Sequence, residues 1–118
     1  MPDRRLRILI VEDEMLVAMN IEDMLLELGH EVAGLASRLG PALALARDGL
    51  FDAAMLDVNL AGELSFPIAE LLVERRIPFL FATGYGRAGI EERFRASPIL
   101  QKPFRSAELR TALAALPL

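Results

Sequence analysis

The chain contains no cysteine, so it has no disulfide, no thiolate nucleophile and no sulfur-ligated metal site, which fits a reducing compartment such as the cytosol. It has a single histidine, and basic residues are in the minority: 13 Lys and Arg against 17 Asp and Glu give a net charge of −4. That balance argues against nonspecific nucleic-acid binding. Arg4, Arg5 and Arg7 form the basic cluster, too small for a binding patch and read as a solvated terminus. No apolar run approaches the roughly 20 residues of a membrane span. Met1-Pro2-Asp3-Arg4-Arg5 leads only into a strand-length apolar run that the acids Glu12, Asp13 and Glu14 end, so no signal peptide is expected. Low-complexity stretches, linkers and internal repeats are also missing. The 118 residues, 53% hydrophobic and 25% charged, therefore predict one soluble globular domain over residues 1–118.

What is present is a regular alternation. Apolar strand-like runs at Leu6–Val11, Glu31–Ala36, Ala53–Leu56, Pro78–Ala82 and Ile99–Gln101 are each followed by a helical pattern. Val17, Ile21, Met24, Leu25 and Leu28 recur at three and four and mark one helix face, with Gly29 placed to cap it. A second helix opens near Pro41 and closes before Gly49, and a third runs from about Phe66 to Arg75 with Ile68, Leu71 and Leu72 inward. A fourth is expected from about Gly89 to Ala96, weakened by Gly84, Gly86 and Gly89. The last carries Leu109, Leu113 and Leu116, with Ser106 as its expected N-cap. Five β-α units predict an α/β fold, a doubly wound parallel sheet of order 2-1-3-4-5. Met15, Met19, Met24 and Met55 read as scattered core fillers, Phe94 and Phe104 as core edges, and His30 as a turn residue before the second strand.

Chemistry gathers at the strand ends. Glu12 and Asp13 follow the first strand, Asp57 and Asn59 the third, Thr83 and Gly84 the fourth, and Lys102 and Pro103 the fifth; the second is followed only by Ser37 and Arg38. In that sheet order the second strand lies at an edge while the first and third flank the switch point, so the equipped ends converge. Alone, Asp57 would suit a turn and Glu12-Asp13 an acidic first helical turn. Converging, three carboxylates repel: a pair at ~4 Å costs about 4 kcal/mol at an effective dielectric near 20. Lys102 offsets one charge, and an all-oxygen donor set favours hard Mg²⁺ or Mn²⁺ for the rest. Lys102, the Thr83 hydroxyl and backbone N–H groups beside Gly84 suit a phosphoryl group, and Asp57 as nucleophile would form an acyl phosphate.

This set of residues resembles the signature of two-component response-regulator receiver domains, flavodoxin-like in fold, over essentially the whole chain. The resemblance implies that Asp57 accepts a phosphoryl group from a sensor histidine kinase or histidine phosphotransfer protein. It implies that Asp13, Asp57 and the Asn59 backbone carbonyl ligate Mg²⁺, with Glu12 assisting through a metal-bound water. Lys102 would contact the phosphoryl group, Thr83 would be the switch hydroxyl, and Lys102-Pro103 a cis peptide. Such a domain is a cytoplasmic signalling protein and not an enzyme, although it catalyses its own phosphotransfer and dephosphorylation; it needs neither nucleic acid nor membrane. The usual strand-5 aromatic is replaced by Ile99, while Phe81-Ala82-Thr83-Gly84-Tyr85 resembles a receiver subgroup with that motif, in which Tyr85 could serve as the switch aromatic. The alternatives are a Mg²⁺-dependent aspartyl-nucleophile phosphatase, since Asp57-Val58-Asn59 is superficially similar to its Asp-x-Asp, and a phosphate-independent interaction module. With no output segment expected after Leu118, the signal would leave by protein contact or by draining phosphate from a relay.

Overall fold

The computed structural model describes residues 4–118; Met1, Pro2 and Asp3, part of the stretch read above for a signal peptide, lie outside the described residues. Strands β1 (Arg7–Val11), β2 (Glu31–Ala36), β3 (Ala53–Leu56), β6 (Phe79–Thr83) and β7 (Ile99–Gln101) form one parallel sheet in the order β2-β1-β3-β6-β7, which is the expected 2-1-3-4-5 winding counted over the main sheet. Between β3 and β6 a two-stranded antiparallel hairpin, β4 (Asn59–Leu60) and β5 (Glu63–Leu64), precedes helix α3 (Phe66–Glu74). Its strands are too short to show a periodic pattern.

The central strands look uniformly apolar because both their faces are covered, yet they sort their side chains with period two. Leu9, Val11, Ala54, Leu56, Phe79 and Phe81 enter one core, with α3 and helix α2 (Leu39–Asp48). Ile8, Ile10, Ala53, Met55, Leu80 and Ala82 enter the other, closed by α1 (Met15–Glu27) and α4 (Ser106–Ala114). Gly29, just beyond α1, takes φ +89°, a conformation that glycine adopts without steric cost.

Four expectations need correction. No α-helix forms over 89–96: the segment makes two 3₁₀ turns, Arg87–Gly89 and Glu92–Phe94, because Gly84, Gly86 and Gly89 raise the cost of helix nucleation and only Ile90 and Phe94 turn inward. Met15 and Met19 are exposed and not core fillers, since the buried stripe of α1 is Ala18, Ile21 and Leu25 and they lie off it. Met55 is buried, and Met24 packs partly buried. Ser106 is the first helical residue of α4 and Arg105 its N-cap, whose N–H donates to Glu108 Oε1 at 3.0 Å. Phe94 and Phe104 are buried core members and not its edge. His30 does sit in the turn before β2, buried, its Nδ1 accepting the Leu6 N–H at 3.0 Å.

Candidate functional site

The main chain brings the equipped strand ends together before any side chain acts. Val11 pairs with Leu56, and the Asp57 N–H extends that ladder to the Val11 carbonyl at 2.9 Å, so the residues after β1 and β3 start side by side. The Glu12 N–H bonds the Ala36 carbonyl at 3.0 Å, and the Lys102 N–H bonds the Thr83 carbonyl at 2.9 Å, which ties the end of β7 to the end of β6. The Lys102–Pro103 peptide is cis.

Glu12, Asp13 and Asp57 each offer a carboxylate oxygen, and these atoms lie within 4.8 Å of one another. Lys102 bridges two of the acids: its Nζ donates to Glu12 Oε1 and, at 3.2 Å, to Asp57 Oδ2. Glu12 is only 1% exposed, and its other oxygen accepts the Glu14 N–H at 3.1 Å. Burial pushes the Glu12 carboxyl up from 4.5 to about 7, against the pull of Lys102 and the Glu14 N–H. Burial likewise raises Asp57, with Lys102 opposing. For Asp13, burial is outweighed by the Ala61 N–H and its carboxyl neighbours, and its carboxyl is held below the usual range. Burial would lower Lys102, but its bonds to Glu12 and Asp57 win and hold the ammonium charged. One cation among three acids leaves the pocket with excess negative charge, and its oxygen-only donors suit a hard divalent ion.

The hairpin was not visible in the sequence and supplies part of the site. The Ala61 N–H donates to Asp13 Oδ2 at 3.1 Å, from a turn in which Ala61 takes φ +53° and Gly62 φ +94°. Asn59 Oδ1 accepts the Gly62 N–H at 2.7 Å, so that atom serves the turn. The one sequence feature that could have pointed to it is Gly62, since glycine suits a left-handed turn position. Beside the hairpin, the hydroxyl of Ser65 is buried with no hydrogen-bond partner among the described residues. Thr83 is fully buried, and its Oγ1 accepts the Tyr85 N–H at 3.1 Å, a bond that leaves the hydroxyl proton available. Tyr85 itself is 74% exposed, as a loop tyrosine at the surface would be.

A doubly wound sheet with a lysine-bridged acid pocket at its switch point defines the class: an α/β domain that gathers its charged groups at the ends of its central strands. Solved structures narrow the class. The chain is 50% identical to SdrG from Sphingomonas melonis Fr1, with 94% of this chain and 95% of that one covered and a TM-score of 0.85. It is 30% identical to the response-regulator receiver domain of Erythrobacter litoralis PhyR, covering 97% and 94% at a TM-score of 0.80. Among curated proteins, the transcriptional regulatory protein PdtaR of Mycobacterium tuberculosis is 32% identical over 111 residues, 91% of this chain and 54% of PdtaR. No protein-family model matches the chain. The chain belongs to the response-regulator receiver domains, the phosphoaccepting receivers of two-component signalling. It spans about half the length of the curated relatives it matches first.

Proposed function

We propose that Asp57 is the phosphoacceptor and that residues 1–118 work as one receiver unit. The observation that carries this reading is the Lys102 ammonium, held between Glu12 and Asp57 beside a third carboxylate. An Asp57 oxygen attacks the phosphorus of a phosphohistidine on a sensor kinase or phosphotransfer protein. The new P–O bond forms as the P–N bond breaks, and the departing imidazole keeps the electron pair and takes up a proton. Lys102 neutralises a phosphoryl oxygen, and Thr83 swings its spare hydroxyl proton onto another. Asp13, Asp57 and the Asn59 carbonyl would hold Mg²⁺, with Glu12 reaching it through water; the ion would supply positive charge to the transferring oxygens. That excess negative pocket charge, together with Glu12 pushed up to about 7, supports the metal.

From the Phe81-Ala82-Thr83-Gly84-Tyr85 motif, with Ile99 in place of a strand-5 aromatic, we infer that the loop carries the switch and that Tyr85 is its aromatic. SdrG, at 49% identity, has a BeF₃-activated conformation, which supports a conformational response to phosphorylation. No helix among the described residues is long and apolar enough to cross a membrane. A cytoplasmic receiver passing its signal by protein contact or draining a relay agrees with the sequence.

Incubation with acetyl phosphate, read by intact mass with and without Mg²⁺, tests the proposal. One phosphoryl adduct per chain, dependent on Mg²⁺ and hydrolysed back over time, is expected. Steady turnover of the donor with no adduct would instead make the protein a phosphatase, and an inert protein would make it a phosphate-independent interaction module.

A further inference from the structure

Two hydrogen bonds at the tip of the β4–β5 hairpin lead, one through the other, from Asn59 to Asp13. Asn59 Oδ1 accepts the Gly62 N–H at 2.7 Å, and the preceding N–H, that of Ala61, donates to Asp13 Oδ2 at 3.1 Å. Successive N–H groups of one turn are thus shared between a side chain of the hairpin and a side chain of the acid pocket. The base of the hairpin is anchored apart from these bonds: Leu60 is buried, and the Ser65 N–H bonds the Val58 carbonyl at 2.9 Å. Its tip, Ala61 to Leu64, is exposed. Ala61 nevertheless takes φ +53°, a left-handed conformation that crowds the Cβ of any residue but glycine. Strained backbone of this kind persists where its surroundings hold it, and here the two bonds at the turn do so.

Asp13 needs such a hold. The final torsion of an aspartate is broad and roughly two-fold, so its carboxylate has no preferred setting of its own. Lys102 bridges Glu12 and Asp57, and among the described residues its ammonium forms no ion pair with Asp13. The charge-assisted bond from Ala61 fixes that carboxylate from the opposite end of the fold's sequence, across 48 positions. We propose that the Asn59 side chain is a positioning residue for Asp13: by holding the Gly62 N–H it fixes the turn that keeps the Ala61 N–H on Asp13 Oδ2, and so sets how tightly the pocket holds a divalent cation. This rests on the reading above that Asp13 ligates Mg²⁺. Asn59 then acts twice, with its carbonyl at the ion and with its side chain through the hairpin. Removing a group that orients a metal ligand typically costs about 10- to 100-fold in affinity, and the Asn59 side chain stands one step further back, so about tenfold is expected. A turn that only joined β4 to β5 would leave cation affinity indifferent to this side chain.

The test uses the ¹⁵N-labelled chain without phosphodonor, so that its outcome does not depend on Asp57 chemistry. MgCl₂ titrations give the Kd of each variant, and amide hydrogen exchange in chelator reads the hairpin with no metal present. In chelator, Asp13→Ala should speed exchange at Ala61 while leaving β3 and α3 as protected as before. Asn59→Ala, which keeps the backbone carbonyl, should speed exchange at 61 and 62 and weaken Mg²⁺ binding about tenfold. Asn59→Ser, whose hydroxyl can accept the same N–H, though more weakly, should recover part of both losses. That rescue separates positioning from general damage, and urea unfolding in chelator checks that the affinities do not simply follow global stability. The proposal is overturned if wild type binds Mg²⁺ and Asn59→Ala binds it equally well, if Asn59→Ser is no better than Asn59→Ala, or if Asp13→Ala leaves Ala61 exchange unchanged. A wild type that binds no Mg²⁺ would instead overturn the metal reading, and the affinity claim with it.

Discussion

Replacing Glu12 by Gln should stabilise the metal-free protein, and the gain should depend on pH in a way that only a buried, uphill carboxylate produces. Folding shifts Glu12 from 4.5 to about 7, so between these values the folded state binds more protons than the unfolded one, and stability falls as pH rises through that window. At 1.36 kcal/mol per unit the loss amounts to about 3 kcal/mol, an upper bound because Lys102 relaxes with the charge. The opposing expectation is that breaking a buried ion pair costs as much or more. Two features decide against it here: the amide oxygen of Gln still accepts from Lys102, and Lys102 keeps its bond to Asp57 Oδ2 at 3.2 Å. Lys102 itself is raised above 10.5, so its contribution is constant across pH 5 to 8 and does not imitate the effect. Urea unfolding of wild type and Glu12→Gln at pH 5 and pH 8, with chelator present, reads the difference directly. Near pH 5 the two proteins should be close. By pH 8 the variant should lead by up to about 3 kcal/mol. A gap that does not widen with pH, or a variant less stable at pH 8, would refute the claim that burial outweighs Lys102 at this carboxylate.

Asp57→Asn should fold normally, by amide spectrum, and show no phosphoryl adduct in the intact-mass assay, because the amide is a far poorer nucleophile; an adduct on this variant would place the acceptor elsewhere. Asp13→Ala should weaken Mg²⁺ binding by calorimetry at least about tenfold and by more than Glu12→Ala does, since losing a direct carboxylate ligand exceeds the cost of losing a partner that acts through water; the reverse order would exchange their roles. Phe94→Ala should cost about 3 kcal/mol. Native-state hydrogen exchange should show its faster opening concentrated in residues 84–96, because Phe94 joins that segment to Phe66, Phe79 and Phe81 at ring separations of 5.7 to 6.2 Å; uniform loss of protection would mean the segment opens only with the whole domain.

The main sheet was legible because its strands are short apolar runs separated by helices with clear three-and-four spacing, and the crossovers leave little topological freedom. The pocket was legible for a related reason: the residues that do chemistry sit one or two positions past strand ends, and strand order alone brings those ends together. What escaped was set by contacts too local or too distant for periodicity to show. The Asn59–Leu64 hairpin rests on two-residue strands and a left-handed Ala61-Gly62 turn, and its function, an N–H on Asp13, joins positions 48 residues apart. Met15, Leu16 and Met19 were apolar and helical, but their helix presents a second, exposed apolar side that a count of hydrophobic residues assigns to the core.

The segment 84–96 joins these two kinds of failure. Its three glycines argued for weakness and the helical reading for a short amphipathic anchor, but the structure resolves the conflict by giving up the helix and keeping the anchor. Phe94 stacks on Phe66 at 5.7 Å and 17° and lies within 6.2 Å of Phe81, two residues before Thr83 on the same face of β6. If Asp57 is phosphorylated as proposed, a shift of Thr83 toward the phosphoryl group would have two routes outward: the Tyr85 N–H that now rests on its hydroxyl, and the aromatic cluster behind Phe81. The second route needs no aromatic at position 99. Ile99 instead pairs with Phe81 across the sheet, and where a strand-5 aromatic is absent the Phe81–Phe94 contact links β6 to the turns at 87–94. In this fold the glycine-rich backbone and the buried phenyl ring belong to one short segment, so a change at Thr83 would reach the turns at 87–94 through contacts that leave the strand pairing of the sheet in place.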